Sequence, residues 1–202
     1  VLPRPRRLGI AETQRLVPGV RTEGLRGAMQ SWDGHLEDDA RLVLALARTA
    51  AGFGAKILTR TRFADGVLTD TLTGESLVPQ AKTVVFAIGA WSPGVTPSKG
   101  VHVVLDARTL GNPTASLTVP MPGERNRYVC ALPHADGIVH LGLTDDPVDG
   151  PLPEVPTAQE SEIVFLLDTL SRGLEVPLAR SDVIGTFAGV RPLVAGAEGR
   201  TA

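Results

Sequence analysis

The chain has 202 residues, 43% of them hydrophobic and 21% charged, with a formal net charge of -2. This is the composition of one globular domain or of pieces of two, not of a disordered tract. It also lacks the basic excess that a nucleic-acid partner requires.

The 22 glycines and 16 prolines predict many turns and short elements. No apolar run approaches the length of a membrane span. Val1 to Arg7 is Pro- and Arg-rich with no apolar stretch behind it, so no signal peptide is expected. The lone Cys130 lies in an apolar run and reads as a buried strand thiol in an intracellular protein.

Residues 1 to 8 read as loop. Ile10 to Leu16 reads as a short helix stopped by Pro18-Gly19. Leu25 to Trp32 reads as a strand interrupted by Gly27. Glu37-Asp38-Asp39 opens a helix, with acids where the N-terminal dipole favours them. Leu42, Ala45, Leu46 and Thr49 share one of its faces, and Gly52 and Gly54 end it.

Ala55 to Thr59 is expected to be a strand. Val67 to Leu72 and Ser76 to Val78 flank Thr73-Gly74-Glu75 as a hairpin. Thr83 to Ile88 is a continuous apolar run ending at Gly89, the pattern of a buried parallel strand.

After Trp91-Ser92-Pro93-Gly94 the texture changes. The runs 101–105, 115–119, 128–132 and 138–143 are separated by turn residues and predict an antiparallel sheet. One helix interrupts them. Thr157 and Glu160 form a capping-box pattern, and Ile163, Leu166, Leu167 and Leu170 make an apolar stripe. A last strand is expected over 182–187.

The fold class is therefore α+β: an α/β piece over 25–94, then a mainly antiparallel piece over 95–194. A short helical segment (1–24) precedes them and a tail (195–202) comes after.

Four segments could carry chemistry. The strand 84–88 with Gly89 and Ala90 would let a cofactor approach bare backbone, as would many strand ends. Ser98-Lys99-Gly100-Val101-His102 places a cation and an imidazole within one short stretch. Histidine can accept a proton near neutral pH and Lys99 could hold an anion. A solvated lysine and a satisfied histidine are the plain alternatives.

Gly142-Leu143-Thr144-Asp145-Asp146 reads as a strand end with local hydrogen bonds. Arg191, alone among apolar and small residues, suits bidentate binding of a phosphate or carboxylate, or else a structural salt bridge. His35, His134 and His140 have no metal-ligand spacing and read as surface or locally satisfied groups; no metal site is expected.

The order and wording of these segments say more than their composition. Asp38-Asp39-Ala40-Arg41-Leu42 resembles the DDARL element of FAD-dependent glycerol-3-phosphate dehydrogenases. Val84 to Ser92 is similar to that family's VVNATGAW strand and loop. Ser98 to Val104 resembles its SKGxHxVV element, Leu141 to Asp145 its IGTTD, and Ala188 to Leu193 its AGVRPL. All five occur in family order, and the resemblance runs from about Ile10 to Val194. Phe86 and Ile88 stand where the family has Asn and Thr, Leu143 replaces the first Thr of GTTD, and His134 replaces an aromatic.

The resemblance implies an FAD-binding α/β domain joined to an antiparallel substrate (cap) domain, as in the glutathione-reductase-like and amino-acid-oxidase-like flavoproteins. It implies oxidation of sn-glycerol 3-phosphate to dihydroxyacetone phosphate, with hydride passing to FAD and electrons to a quinone. His102 would be the acid/base or orienting residue. Arg191 would bind substrate, at the phosphate or the reacting hydroxyl. Lys99 is a second candidate for the phosphate, and Gly89 and Ala90 would line the flavin.

A cytoplasmic enzyme, peripheral at the inner membrane, is implied as well. A glycerol-3-phosphate oxidase using O2 would share every motif, whereas SKGxH argues against an amine or amino-acid oxidase. The family's Gly-x-Gly-x-x-Gly turn and its C-terminal Gly-Gly-Lys-x-Thr-Thr segment are absent from the sequence. The expectation is therefore an internal fragment that is inactive and retains no FAD by itself.

Overall fold

The computed structural model describes residues 2–142 and 144–194. The expected tail, 195–202, and Leu143 lie outside the described residues. By internal contacts the chain forms two units, 34–86 and the described residues of 1–33 with 87–202. Among the described residues all strand pairs are antiparallel, so the expected α+β class with antiparallel sheets is observed.

The N-terminal stretch is not all loop. β1 (Arg6–Leu8) pairs with β2 (Ala28–Gln30), the central part of the expected 25–32 strand. Between them lies α1 (Ile10–Leu16), as expected. Backbone bonds tie the segment after α1 to later elements: Gly19 N donates to Leu110 O at 3.1 Å and Arg21 N to Gly173 O at 2.9 Å.

The 34–86 unit carries α2 (Asp39–Gly52), whose N-cap Asp38 accepts from Arg41 N at 2.8 Å. None of its residues is buried, so the expected stripe of Leu42, Ala45, Leu46 and Thr49 stays uncovered. An amphipathic stripe encodes a tendency to be buried; it does not supply the opposing surface.

β3 (Thr61–Ala64), β4 (Val67–Asp70) and β5 (Ser76–Leu77) form a three-stranded sheet. The β4–β5 hairpin matches expectation; β3 is additional. Its signal is present in Asp65-Gly66, both at positive φ (49° and 78°), as a two-residue hairpin turn requires.

The strands expected over 55–59 and 83–88 do not form. Val84, Val85 and Phe86 are exposed instead of buried. The physical reason is that an apolar run becomes a strand only beside a hydrogen-bonding neighbour, and no described strand pairs with either run.

The large sheet belongs to the other unit. Its strands are β6 (Val95–Asp106), β7 (Leu117–Pro120), β8 (Tyr128–Pro133), β9 (Ile138–Gly142), β10 (Asp146–Pro147) and β11 (Val183–Val194). β6 is central. β11 runs along one edge over its whole length, and β9 and then β10 occupy the other. β8 and β7 extend the sheet outward from β9.

β11 is twice the expected length, because the 188–194 segment continues the ladder instead of leaving it. α3 (Glu160–Ser171) covers one face. The expected capping box at Thr157 and Glu160 is displaced by two residues: Gln159 N donates to Glu162 Oε2 at 2.7 Å.

Strand alternation then sorts the side chains. Val101, Val103 and Leu105 of β6 face α3, with Val129, Ala131, Val139 and Leu141 beside them. They pack on Ile163, Leu166, Leu167 and Leu170, all buried. This is the core. Cys130, expected to be buried, takes the opposite parity and is half-buried on the other face, with Sγ 3.7 Å from Thr118 Oγ1.

Candidate functional site

The sheet face turned away from α3 is defined by Ser98, Gly100 and His102 of β6. Their cross-strand partners share it: Arg191, Gly189 and Phe187 on β11, and Gly142 on β9. The structure therefore brings His102 and Arg191 to one face. Arg191 lies within a strand rather than after one, directly opposite Ser98.

Each of the two side chains lies across a glycine. A Cβ built on Gly100 would come within 2.0 Å of Arg191 Nη2, and one on Gly142 within 2.3 Å of His102 Cδ2. The Arg191 guanidinium donates from Nη2 to Thr144 O at 2.9 Å and from Nη1 to Asp145 Oδ1 at 3.1 Å and Ser98 Oγ at 3.4 Å. The Ser98 hydroxyl also donates to Asp145 Oδ1. Thr144 and Asp145, read from sequence as a local turn, thus hold a residue 46 or more positions away.

His102 stacks on Phe187, with ring centroids 4.7 Å apart and planes 9° from parallel. His140 meets both rings edge-on, and His134 lies 4.0 Å from His140. The register, not the spacing, lines up these three imidazoles. Among the described residues no group of His, Cys, Asp and Glu could hold a metal ion.

His102 is driven down to a pKa of about 4, first by burial, then by the neighbouring His140 and Arg191. At neutral pH it is an uncharged imidazole, the form that can accept a proton.

Lys99 is not on this face. Its parity points it towards α3, where Nζ pairs with Glu162 Oε2 at 2.9 Å and both side chains are largely buried. The same carboxylate caps the helix, so Lys99 clamps β6 to the start of α3.

Gly89 and Ala90 form a single 3-10 turn with Trp91. Gly89 is at φ 59°, and no described residue beyond its chain neighbours lies within 4 Å of where its Cβ would be. Such bare backbone under open space fits the approach of a flat ring. Ala90 packs inward, at 6% exposure.

The sheet thus carries a helix on one face and a polar patch floored by glycines on the other. The chain belongs to the FAD dependent oxidoreductase family, whose profile matches residues 2–200. It is 45% identical to glycerol-3-phosphate dehydrogenase 1 of Mycobacterium tuberculosis (strain ATCC 25618 / H37Rv), over 100% of this chain and 42% of that protein. It is 29% identical to the alpha-glycerophosphate oxidase of Lactococcus lactis, over 93% of this chain and 34% of that protein. The crystal structure of the Bacillus halodurans glycerol-3-phosphate dehydrogenase complexed with FAD superposes with a TM-score of 0.76. That match has 26% identity and covers 93% of this chain and 41% of the other. The chain thus spans well under half the length of each of these relatives.

Proposed function

We propose that this chain forms the substrate-side part of an FAD-dependent dehydrogenase that oxidises sn-glycerol 3-phosphate to dihydroxyacetone phosphate. The observation that carries the reading is the shared face. A neutral imidazole and a fixed guanidinium project from paired strands onto one surface, as oxidation of a phosphorylated alcohol requires. The two relatives named as dehydrogenases and the one named as an oxidase all act, by their names, on the glycerol phosphate skeleton.

FAD, when bound, supplies the hydride acceptor; Gly89 and Ala90 are the candidates to line it, Gly89 by its bare backbone. His102, an uncharged imidazole at neutral pH, accepts the proton of the C2 hydroxyl as that carbon is oxidised. Phe187 covers one face of the imidazole and restricts its orientation. Arg191 binds the substrate from a fixed position. Lys99, engaged with Glu162, serves the fold. The reading takes a quinone as the electron acceptor, with the enzyme peripheral at a membrane surface; O2 is the alternative acceptor, and one relative is named an oxidase.

The test is anaerobic reduction of the flavin in the complete protein, monitored by bleaching of its visible absorbance. Glycerol 3-phosphate should bleach it and glycine should not. Bleaching by glycine alone would reassign the substrate class. Subsequent reoxidation by a quinone analogue, faster than by O2, is expected for the dehydrogenase.

A further inference from the structure

Arg191 crosses the sheet. It starts on β11, along one edge of β6, and is gripped beyond the opposite edge by Thr144 and Asp145. Pairing of β10 with Ser98 and Lys99 brings that segment alongside β6. The crossing runs over Gly100, where any Cβ would collide with the guanidinium.

The far bank is itself anchored. Thr144 is buried and its Oγ1 accepts from Val101 N at 3.0 Å, so the carbonyl that receives Nη2 is tied to the strand being crossed. Asp145 Oδ1 receives both Arg191 Nη1 and the hydroxyl of buried Ser98. Nε takes part in none of these bonds.

The Asp145 and Arg191 side chains are 45% and 31% exposed, a setting in which an ion pair adds little to stability. Three bonds nevertheless converge to fix one guanidinium plane. Arginine has many rotamers, and freezing them on ligand binding weakens the binding unless they are frozen beforehand.

We propose that Asp145, together with Ser98, is a positioning residue that locks Arg191 across Gly100 so that substrate meets a pre-set guanidinium. The proposal rests on the reading of Arg191 as a substrate ligand, and its test separates the two.

The flavin-loaded complete protein is labelled with 15N at arginine, and the variants are Asp145→Ala, Asp145→Asn, Arg191→Ala and the Asp145→Ala/Arg191→Ala double. The two Nη groups of Arg191, identified by their loss in Arg191→Ala, should give separate signals in the parent and merge in Asp145→Ala as rotation is released. With glycerol 3-phosphate, Asp145→Ala should lower kcat/KM on the order of 10²-fold, with flavin content and melting temperature unchanged. Asp145→Asn keeps the acceptor oxygen and should recover most of that loss. In the Arg191→Ala background, Asp145→Ala should cost nothing further.

Separate Nη signals persisting in Asp145→Ala, or a full additional loss in the double variant, overturns the proposal. Intact turnover in Arg191→Ala, with Nη signals that still merge in Asp145→Ala, removes Arg191 from the substrate site and leaves its positioning by Asp145 standing.

Discussion

His102 lies across Gly142, its direct partner on β9, so closely that a Cβ there would come within 2.6 Å of Nε2 and 2.3 Å of Cδ2. The imidazole is confined between that bare backbone and the ring of Phe187. Gly142→Ala must therefore displace the ring. In the complete enzyme, kcat with glycerol 3-phosphate should fall at least as far as in Phe187→Ala, with flavin still bound. Steady-state kinetics alongside the visible spectrum checks this; unchanged kcat in Gly142→Ala would mean that the ring position is immaterial.

Gly100→Ala separates stability from function. The nearest atoms the Cβ would meet are at the far end of a flexible side chain, Arg191, which can swing away at small cost to the fold. Gly19→Ala is the converse: its Cβ would press on the Leu110 backbone oxygen at 2.7 Å, which cannot move alone. Thermal denaturation should show a loss of about 1–3 kcal/mol for Gly19→Ala and a much smaller one for Gly100→Ala. Activity should be lost in the reverse order.

Folding stability should depend on pH through His102. Its folded pKa, about 4, lies below the ordinary 6.5, so between those values the unfolded chain binds the extra proton. Stability therefore falls as pH drops from 6.5 towards 4. His102→Gln removes this term. The melting-temperature difference between parent and variant should shift in the variant's favour from pH 7.5 to pH 4.5; a difference independent of pH would show that His102 titrates normally.

The 202-residue chain expressed alone should be purified without stoichiometric flavin. Gly89 offers one bare surface, and a few contacts do not offset the freedom lost on binding. A yellow protein with one flavin per chain would place the cofactor site within these residues.

Leu166 and Leu170 are fully buried between α3 and the sheet. Truncation of either to Ala should cost about 2–5 kcal/mol in denaturant unfolding. Leu46→Ala on α2, where the side chain is 60% exposed, should cost far less.

The sequence by itself determined the local and periodic features. The stripe Ile163, Leu166, Leu167 and Leu170 specified α3 and its buried face. Strand alternation alone places His102 on the side opposite Val101 and Val103. Motif order linked the chain to its family. Tertiary structure decided whatever depends on a neighbour. The run 83–88 has the composition of a buried strand, yet lacks a described partner and stays irregular. Lys99 and Ser98 are adjacent in sequence, but the pleat sends one to Glu162 and the other to Asp145. Asp145 reads as a turn residue because spacing reports only local bonds, and register across β6 turns it towards Arg191. Periodicity encodes which face a side chain takes, whereas only the pairing of strands distant in sequence sets what it meets there.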